Sequence, residues 1–191
     1  MIIETLRTAT KTAHRDLDHY VFPIIKGVNN KDSYAKLLQV FYGFFKPVTD
    51  SMDVYLDDTN VHLYSQRRKP HRILDDLDAI GVKKEMLPLS HELPLIDTPA
   101  KAFGAFYVLE GSTMGGTIIV KQLAQQLPAL EQNHFGFFGG YGENNPVMWK
   151  FFLNDLENNT NTTATDELIM AATQTFSTFG NWIKKQYEFT N

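Results

Sequence analysis

The chain has 191 residues, with 18 Lys+Arg against 22 Asp+Glu for a formal net charge of -4, 43% apolar residues and no cysteine. This is the composition of a soluble globular protein long enough to bury one large core; it excludes disulfide frameworks, thiolate metal sites and a thiol nucleophile, and it lacks the basic stripe of a nucleic-acid binder. No apolar run approaches the ~20 residues of a membrane span, and the start, Met1-Ile2-Ile3-Glu4-Thr5-Leu6-Arg7, lacks the basic and apolar regions of a secretory signal, so a cytoplasmic protein with no membrane partner is expected.

From Glu4 to about Tyr20 apolar and polar residues recur at helical spacing, and Pro23 follows. A second helix is predicted from Asp32, read as its N-cap, with Tyr34, Leu37, Leu38, Phe41, Phe44 and Phe45 on one face. Pro47 should kink it rather than end it, because the period resumes at Val48, Met52 and Leu56. A third begins near Pro70, carries Ile73, Leu74, Leu77 and Ile80, and meets Gly81 where a terminating glycine belongs. Residues 82–97, with Pro88 and Pro94, read as a connector. Thr98-Pro99 supplies an N-cap and a proline at the first helical position. The helix that starts there can run to Leu127, ~45 Å at 1.5 Å per residue, broken in the middle by Gly111-Ser112-Thr113-Met114-Gly115-Gly116. Residues 134–142 are the least helical part. Asn145-Pro146 opens another helix through about Glu157, and residues 158–165, which hold two Asn-x-Thr sequons, form a polar loop. Asp166 then caps a last helix with Leu168, Ile169, Ala172, Phe176, Phe179 and Ile183. The expectation is one all-α domain over residues 1–191, of about seven helices.

Three constellations carry chemistry. On the first helix Arg7, Lys11 and His14 stand at i, i+4 and i+7 and share a face, flanked by Thr10 and Asp18. One imidazole with two cations suits a flat ligand that has a metal and an anionic edge; the alternative is a solvated basic face with an incidental histidine. In the fourth predicted helix, Gly111, Gly115 and Gly116 each cost roughly 1 kcal/mol in a helix interior. They allow either a flat ligand or another helix to approach the backbone. A phosphate loop does not fit there, because no strand precedes it and the Walker lysine is missing. Third, Phe135-Gly136-Phe137-Phe138-Gly139-Gly140-Tyr141-Gly142 either packs under the domain or closes over a ligand.

Other chemistries find less support. Glu131-x-x-His134 and Asp16-x-x-His19 have the acid–histidine spacing of di-iron bundles, but one has Asp in place of Glu and the other runs into the glycine loop. There is no His-x-x-x-His pair for zinc and no Gly-x-Ser-x-Gly elbow. His62, His71 and His91 read as surface histidines.

Five segments in order resemble the bacterial heme oxygenases of the biliverdin-producing type. They are Leu6-Arg7-x-Ala9-Thr10-Lys11-x-x-His14; Phe41-Tyr42-Gly43-Phe44 with Pro47; Tyr107-Val108-Leu109-Glu110-Gly111-Ser112-Thr113-Met114-Gly115-Gly116; Phe138-x-Gly140-Tyr141-Gly142 followed by Trp149-x-x-Phe152; and Ala171-Ala172 with Thr175-Phe176 and Trp182. The resemblance implies a single-domain multi-helical fold with a kinked, glycine-rich distal helix. It implies heme as both cofactor and substrate, with His14 as the proximal iron ligand. Arg7, Lys11 and Lys150 would face the propionates, and Thr10, Met114, Gly116 and Tyr141 would line the heme. Gly111, Ser112 and Gly115 would form the catalytic distal face, where the bare backbone leaves room for dioxygen and steers it toward a meso carbon. The products would be biliverdin, carbon monoxide and ferrous iron, with electrons from a separate donor (a ferredoxin, flavodoxin or reductase), since no dinucleotide-binding fingerprint is present. The sequence departs from the family in one place. Many members carry an acid directly after the first distal glycine, and here that residue is Ser112, with Glu110 on the other side of the glycine. A non-catalytic heme-binding or heme-storage protein of the same fold is the second reading. A thiamin-degrading enzyme of related helical fold is a third, which the absence of a cysteine nucleophile disfavours.

Overall fold

The structure, a computed structural model, describes residues 2–82 and 87–188. Among them are eight α-helices and five short 3-10 segments, and no strand: α1 Ile2–Gly27, α2 Lys31–Met52, α3 His71–Ala79, α4 Pro99–Gly111, α5 Gly116–Gln126, α6 Gly136–Gly139, α7 Asn145–Asn159 and α8 Thr165–Tyr187.

Capping chemistry set several of these boundaries as expected. Thr98 accepts from the Lys101 amide with Pro99 at the first position of α4, and Gly81 takes φ +69° just past α3. Others differ. α1 does not stop at Pro23 but runs through it to Gly27. The residues beyond the proline, Ile24, Ile25 and Val28, are buried in the core, and that burial offsets the roughly 3 kcal/mol a helical proline costs. α2 is capped by Asn30, not Asp32: the Asn30 side chain accepts from the Ser33 amide and the Ser33 hydroxyl accepts from the Asn30 amide. α2 continues through Pro47, ending at Met52, so Leu56 is buried outside it. α8 begins at Thr165 after a 3-10 turn capped by Asn161, so Asp166 lies inside its first turn. Residues 134–142 hold a helical turn, α6, between 3-10 turns. Of the connector, residues 83–86 lie outside the described residues.

The core is built on α4 and α8, which pack along their lengths; α1 lies on the other flank of α8, and α2 packs against α3, α4 and α8. Gly104 makes the central contact possible, since a Cβ there would sit 2.3 Å from the Leu168 carbonyl oxygen of α8. The run Pro99–Gln126 reaches a mean hydropathy of 1.2 in an 18-residue window, so one helical run is long and apolar enough to cross a membrane, contrary to the sequence expectation. Half of that window is buried inside the fold, with every residue from Ala100 to Phe106 in the interior, which makes its apolar character that of a core helix.

The aromatic–glycine segment packs rather than closing over a ligand. Phe135, Phe137 and Phe138 are buried, with Phe137 and Phe138 edge-on to Phe41. Asp76 of α3 holds the turn from below by accepting from the Gly136 and Phe137 amides at 3.0 and 2.8 Å, and burial pushes its carboxyl up to about 6. Arg72 donates to the Gly140 carbonyl at 2.8 Å. This turn is the floor beneath the middle of the α4–α5 run.

Candidate functional site

The exposed face of α1 presents Arg7, Lys11 and His14 together, as the spacing requires. Thr10 between them is buried, and its hydroxyl donates to the Leu6 carbonyl at 2.8 Å. The His14 side chain is 61% exposed. Its ring stacks on Phe176 of α8 with centroids 5.1 Å apart, and its Nε2 stands 3.6 Å from Asp18 Oδ2 one turn on. Burial raises the Asp18 carboxyl above its ordinary value, against the opposing pull of His14. One face of the imidazole is thus backed by an aromatic ring, and a carboxylate stands within ion-pair distance of Nε2 but beyond hydrogen-bond reach.

Across from α1 lies the end of α4. The Tyr107 hydroxyl lies beside the Thr10 and Arg7 side chains, which oppose the rise in its pKa that burial causes, and its ring centroid is 5.4 Å from that of Trp149 on α7. Thr10 is one turn before His14, and Tyr107 is one turn before Gly111. The contact therefore brings the His14 face of α1 and the glycine-rich break of the long helix to the same part of the molecule. Tyr107 was not singled out as a site residue from sequence, where it reads only as an apolar neighbour of the glycines.

At the break the α-pattern gives way to a 3-10 segment, Ser112–Gly115, before α5 resumes. Gly111, Gly115 and Gly116 have φ of -58°, -83° and -57°, values open to any residue. Glycine is needed there for its missing side chain, and the three positions divide the two roles left open by the sequence. A Cβ on Gly116 would lie 2.1 Å from the Phe138 carbonyl oxygen, so this glycine serves packing of α5 on α6. A Cβ on Gly111 would make ordinary contact with the Trp149 indole at 3.4 Å, and one on Gly115 would meet nothing within 4 Å. The uncovered backbone is at Gly115, beside the exposed apolar side chains of Met114 and Ile118. Gly116→Ala should therefore lower stability by about 1–3 kcal/mol through overpacking, whereas Gly115→Ala should leave the fold within about 0.5 kcal/mol; urea denaturation of the two variants checks this.

Behind the break lies a buried polar network that sequence reasoning missed. Arg67 donates from Nη1 to Glu110 Oε1 at 2.6 Å and to the Met148 carbonyl at 2.8 Å, with both side chains at most 1% exposed. The Tyr141 hydroxyl donates to the Glu110 carboxylate, 3.1 and 3.0 Å from its two oxygens, and accepts from the Arg68 amide at 2.7 Å. Tyr141, expected to line a ligand, thus has its hydroxyl engaged inside the fold. The Arg68 side chain donates to Ser112 Oγ at 2.6 Å and to the Leu109 carbonyl, while Ser112 Oγ donates to the Leu109 carbonyl at 2.7 Å. One signal was available: Glu110 is the sole charge in the apolar run Phe103–Met114, and a buried charge needs a partner. Nothing local pointed to Arg67 and Arg68. Lys150 is exposed on α7, beside Trp149.

Among the described residues no group of three or more His, Asp or Glu can hold a metal ion. The di-iron alternative finds no such cluster among the described residues; His134 Nδ1 instead accepts from the Glu131 amide at 2.8 Å and caps a 3-10 turn. A cavity of about 390 Å³ between α2 and the end of α8, lined by Lys36, Val40, Pro88 and Gln186 among others, touches none of the residues above.

The family model for heme oxygenase matches residues 1–72 and 81–185. The chain belongs to the heme oxygenase family. Its fold is that of bacterial members. It superposes on the NO- and CO-bound heme oxygenase of Neisseria meningitidis with a TM-score of 0.75 at 21% identity, over 100% of this chain and 94% of that one. It superposes on heme oxygenase-1 of the cyanobacterium Synechocystis in complex with heme with a TM-score of 0.74 at 15% identity, over 96% and 91%. For the heme oxygenase of Leptospira interrogans the TM-score is 0.78 at 17% identity, over 96% and 98%. A comparison with the sequences of curated proteins finds no match. The all-α expectation is met, and the kinked glycine-rich helix of that expectation is the α4–α5 run.

Proposed function

We propose that this heme oxygenase family member cleaves heme oxidatively to biliverdin, carbon monoxide and ferrous iron, using dioxygen and electrons from a separate donor protein. The observation that carries the reading is an exposed imidazole on α1, backed by the Phe176 ring, on a helix that meets Tyr107 through Thr10, one turn before a stretch of helix whose backbone is uncovered at Gly115. A lone imidazole does not hold an iron ion by itself. It suits one that arrives with most of its ligands supplied by a flat macrocycle, and a flat macrocycle needs such a wall. The residues therefore fit heme.

In this reading His14 would ligate the iron, with Phe176 backing its ring and Asp18 beside it. Arg7, Lys11 and Lys150 pair with the propionates, with Thr10 and Tyr107 at the same edge. Met114 contributes apolar contact, and Gly116 and Tyr141 support the distal wall from within. Bound heme supplies the iron at which dioxygen is activated and the meso carbon that is oxidised. Gly111 and Gly115 keep side chains out of that space, and Ser112 is the polar group nearest it on the distal segment. A neutral imidazole would donate less electron density to the iron than a thiolate, which favours O–O cleavage.

One observation favours the second reading, a heme-binding or storage protein without turnover. The Ser112 hydroxyl, at the position where many members carry an acid, is already held by Leu109 and Arg68. The experiment is to add hemin, then ascorbate in air, and follow the visible spectrum. Decay of the Soret band with growth of bile-pigment absorbance is expected. A Soret band that persists with no bile pigment would establish the binding protein instead, and failure of hemin to bind would reject both.

A further inference from the structure

The bend of the distal segment is held by a charge that lies outside the helix. In an uninterrupted α-helix the Leu109 carbonyl would accept from the amide of residue 113. Here the α-pattern ends at Gly111, and the Leu109 carbonyl accepts from the Ser112 hydroxyl and from the Arg68 guanidinium. The same guanidinium nitrogen donates to Ser112 Oγ at 2.6 Å, so three groups close one compact knot at the point where the helix tightens. Arg68 is not a surface residue that happens to reach this point. It is 8% exposed, its guanidinium carbon lies 4.4 Å over the Phe137 ring and 5.5 Å over Phe45, and Nη1 faces the Phe137 carbonyl at 3.4 Å. Its backbone amide is held by Tyr141, which is in turn held by Glu110. Burial pulls the guanidinium down to about 10, with Glu110 opposing, which leaves it charged at neutral pH.

We infer that Arg68 is a positioning residue that sets the distal bend: by holding the Leu109 carbonyl and the Ser112 hydroxyl from behind, it fixes the course of the backbone from Gly111 to Gly115. A guanidinium suits the task because its planar fork presents several donors in fixed directions to acceptors on two elements at once, which an ammonium does not. The arrangement also gives Ser112 a definite part. The hydroxyl is oriented by a cation and turned toward the helix carbonyl. The inference deepens the proposed function, since the bend bears on turnover only if heme lies under it. The test is therefore read on the protein without hemin, so that failure of the heme reading and failure of this one are distinguishable.

The test is amide hydrogen exchange of the full chain carrying Arg68→Met, which keeps much of the apolar contact and removes the donors. Exchange of amides 112–116 should accelerate at least about tenfold, while amides in the middle of α8 stay within about twofold of wild type. Ser112→Ala, which leaves the bond from Arg68 to Leu109, should accelerate the same amides less. Unchanged exchange at 112–116 in a folded Arg68→Met variant overturns the inference. If that variant does not fold, Arg68→Lys is measured in its place. Acceleration confined to 112–116 supports the clamp, and acceleration spread evenly over the chain, or none, overturns it. With hemin bound, the heme-methyl NMR shifts of the ferric cyanide complex should change in Arg68→Met, and an unchanged pattern would argue against any influence of the bend on the distal face.

Discussion

His14→Ala should abolish the histidine-ligated ferric heme spectrum and weaken hemin binding by more than the roughly 10–100-fold that loss of a ligand's orienting partner brings in metal sites. The fold should hardly notice. The side chain is 61% exposed and its contacts are the Phe176 ring and the Asp18 carboxylate, so stability should stay within about 0.5 kcal/mol. That separation makes the variant informative: a large spectral change on an intact fold isolates ligation from structure. Added imidazole should restore much of the spectrum by occupying the vacated position. Asp18→Asn should keep the ligand but loosen its orientation, with a smaller loss of affinity. A His14→Ala protein whose ferric spectrum matches wild type would remove His14 from the role given to it.

Arg67→Met should cost the fold about 3–5 kcal/mol, because it strands the Glu110 charge in the interior. The Arg67 and Glu110 side chains are 0% and 1% exposed, and once Arg67 is gone the Glu110 carboxylate keeps the hydrogen bond from the Tyr141 hydroxyl, a neutral donor, and the more distant charge of Arg68. Such a loss is a large part of the 5–15 kcal/mol typical of whole-domain stability. The double variant Arg67→Met with Glu110→Leu should recover most of it, since a buried ion pair replaced by apolar residues of similar size is often near neutral. Urea denaturation of the wild type, both single variants and the double completes the cycle. A single variant that loses less than about 1 kcal/mol, or a double variant as weak as the sum of the singles, would show that the pair is not coupled as the 2.6 Å contact implies.

The same network shows why a lone charge in an apolar helix is informative but incomplete. Glu110 in the run Phe103–Met114 signals a buried carboxylate. Its partner comes from a loop 43 residues earlier in the chain, and nothing in the sequence distinguishes Arg67 and Arg68 from the neighbouring cations Lys69 and Arg72. The glycines are a similar case. Their density in residues 111–116 announces a place where something approaches the backbone, yet packing of α5 on Phe138 and a bare wall facing outward leave the same mark in the sequence. Only the neighbours found in the fold divide the work between Gly116 and Gly115.

The features that the amino-acid order determined by itself are the local ones: the helix start at Thr98-Pro99, the stop at Gly81, the shared face of Arg7, Lys11 and His14, and the break in the long central helix. Each depends on dihedral preference, capping or the 3.6-residue period, all of which act within a few residues. Tertiary structure decided the rest: that α1 continues past Pro23, that Tyr107 joins Thr10 across two helices, that Tyr141 turns inward to Glu110, and that a buried arginine holds the bend. Those outcomes depend on which surfaces meet when distant segments bury their apolar faces together. That is a property of the whole packed chain, because burial energy has no direction along the sequence and chooses its partners only in three dimensions.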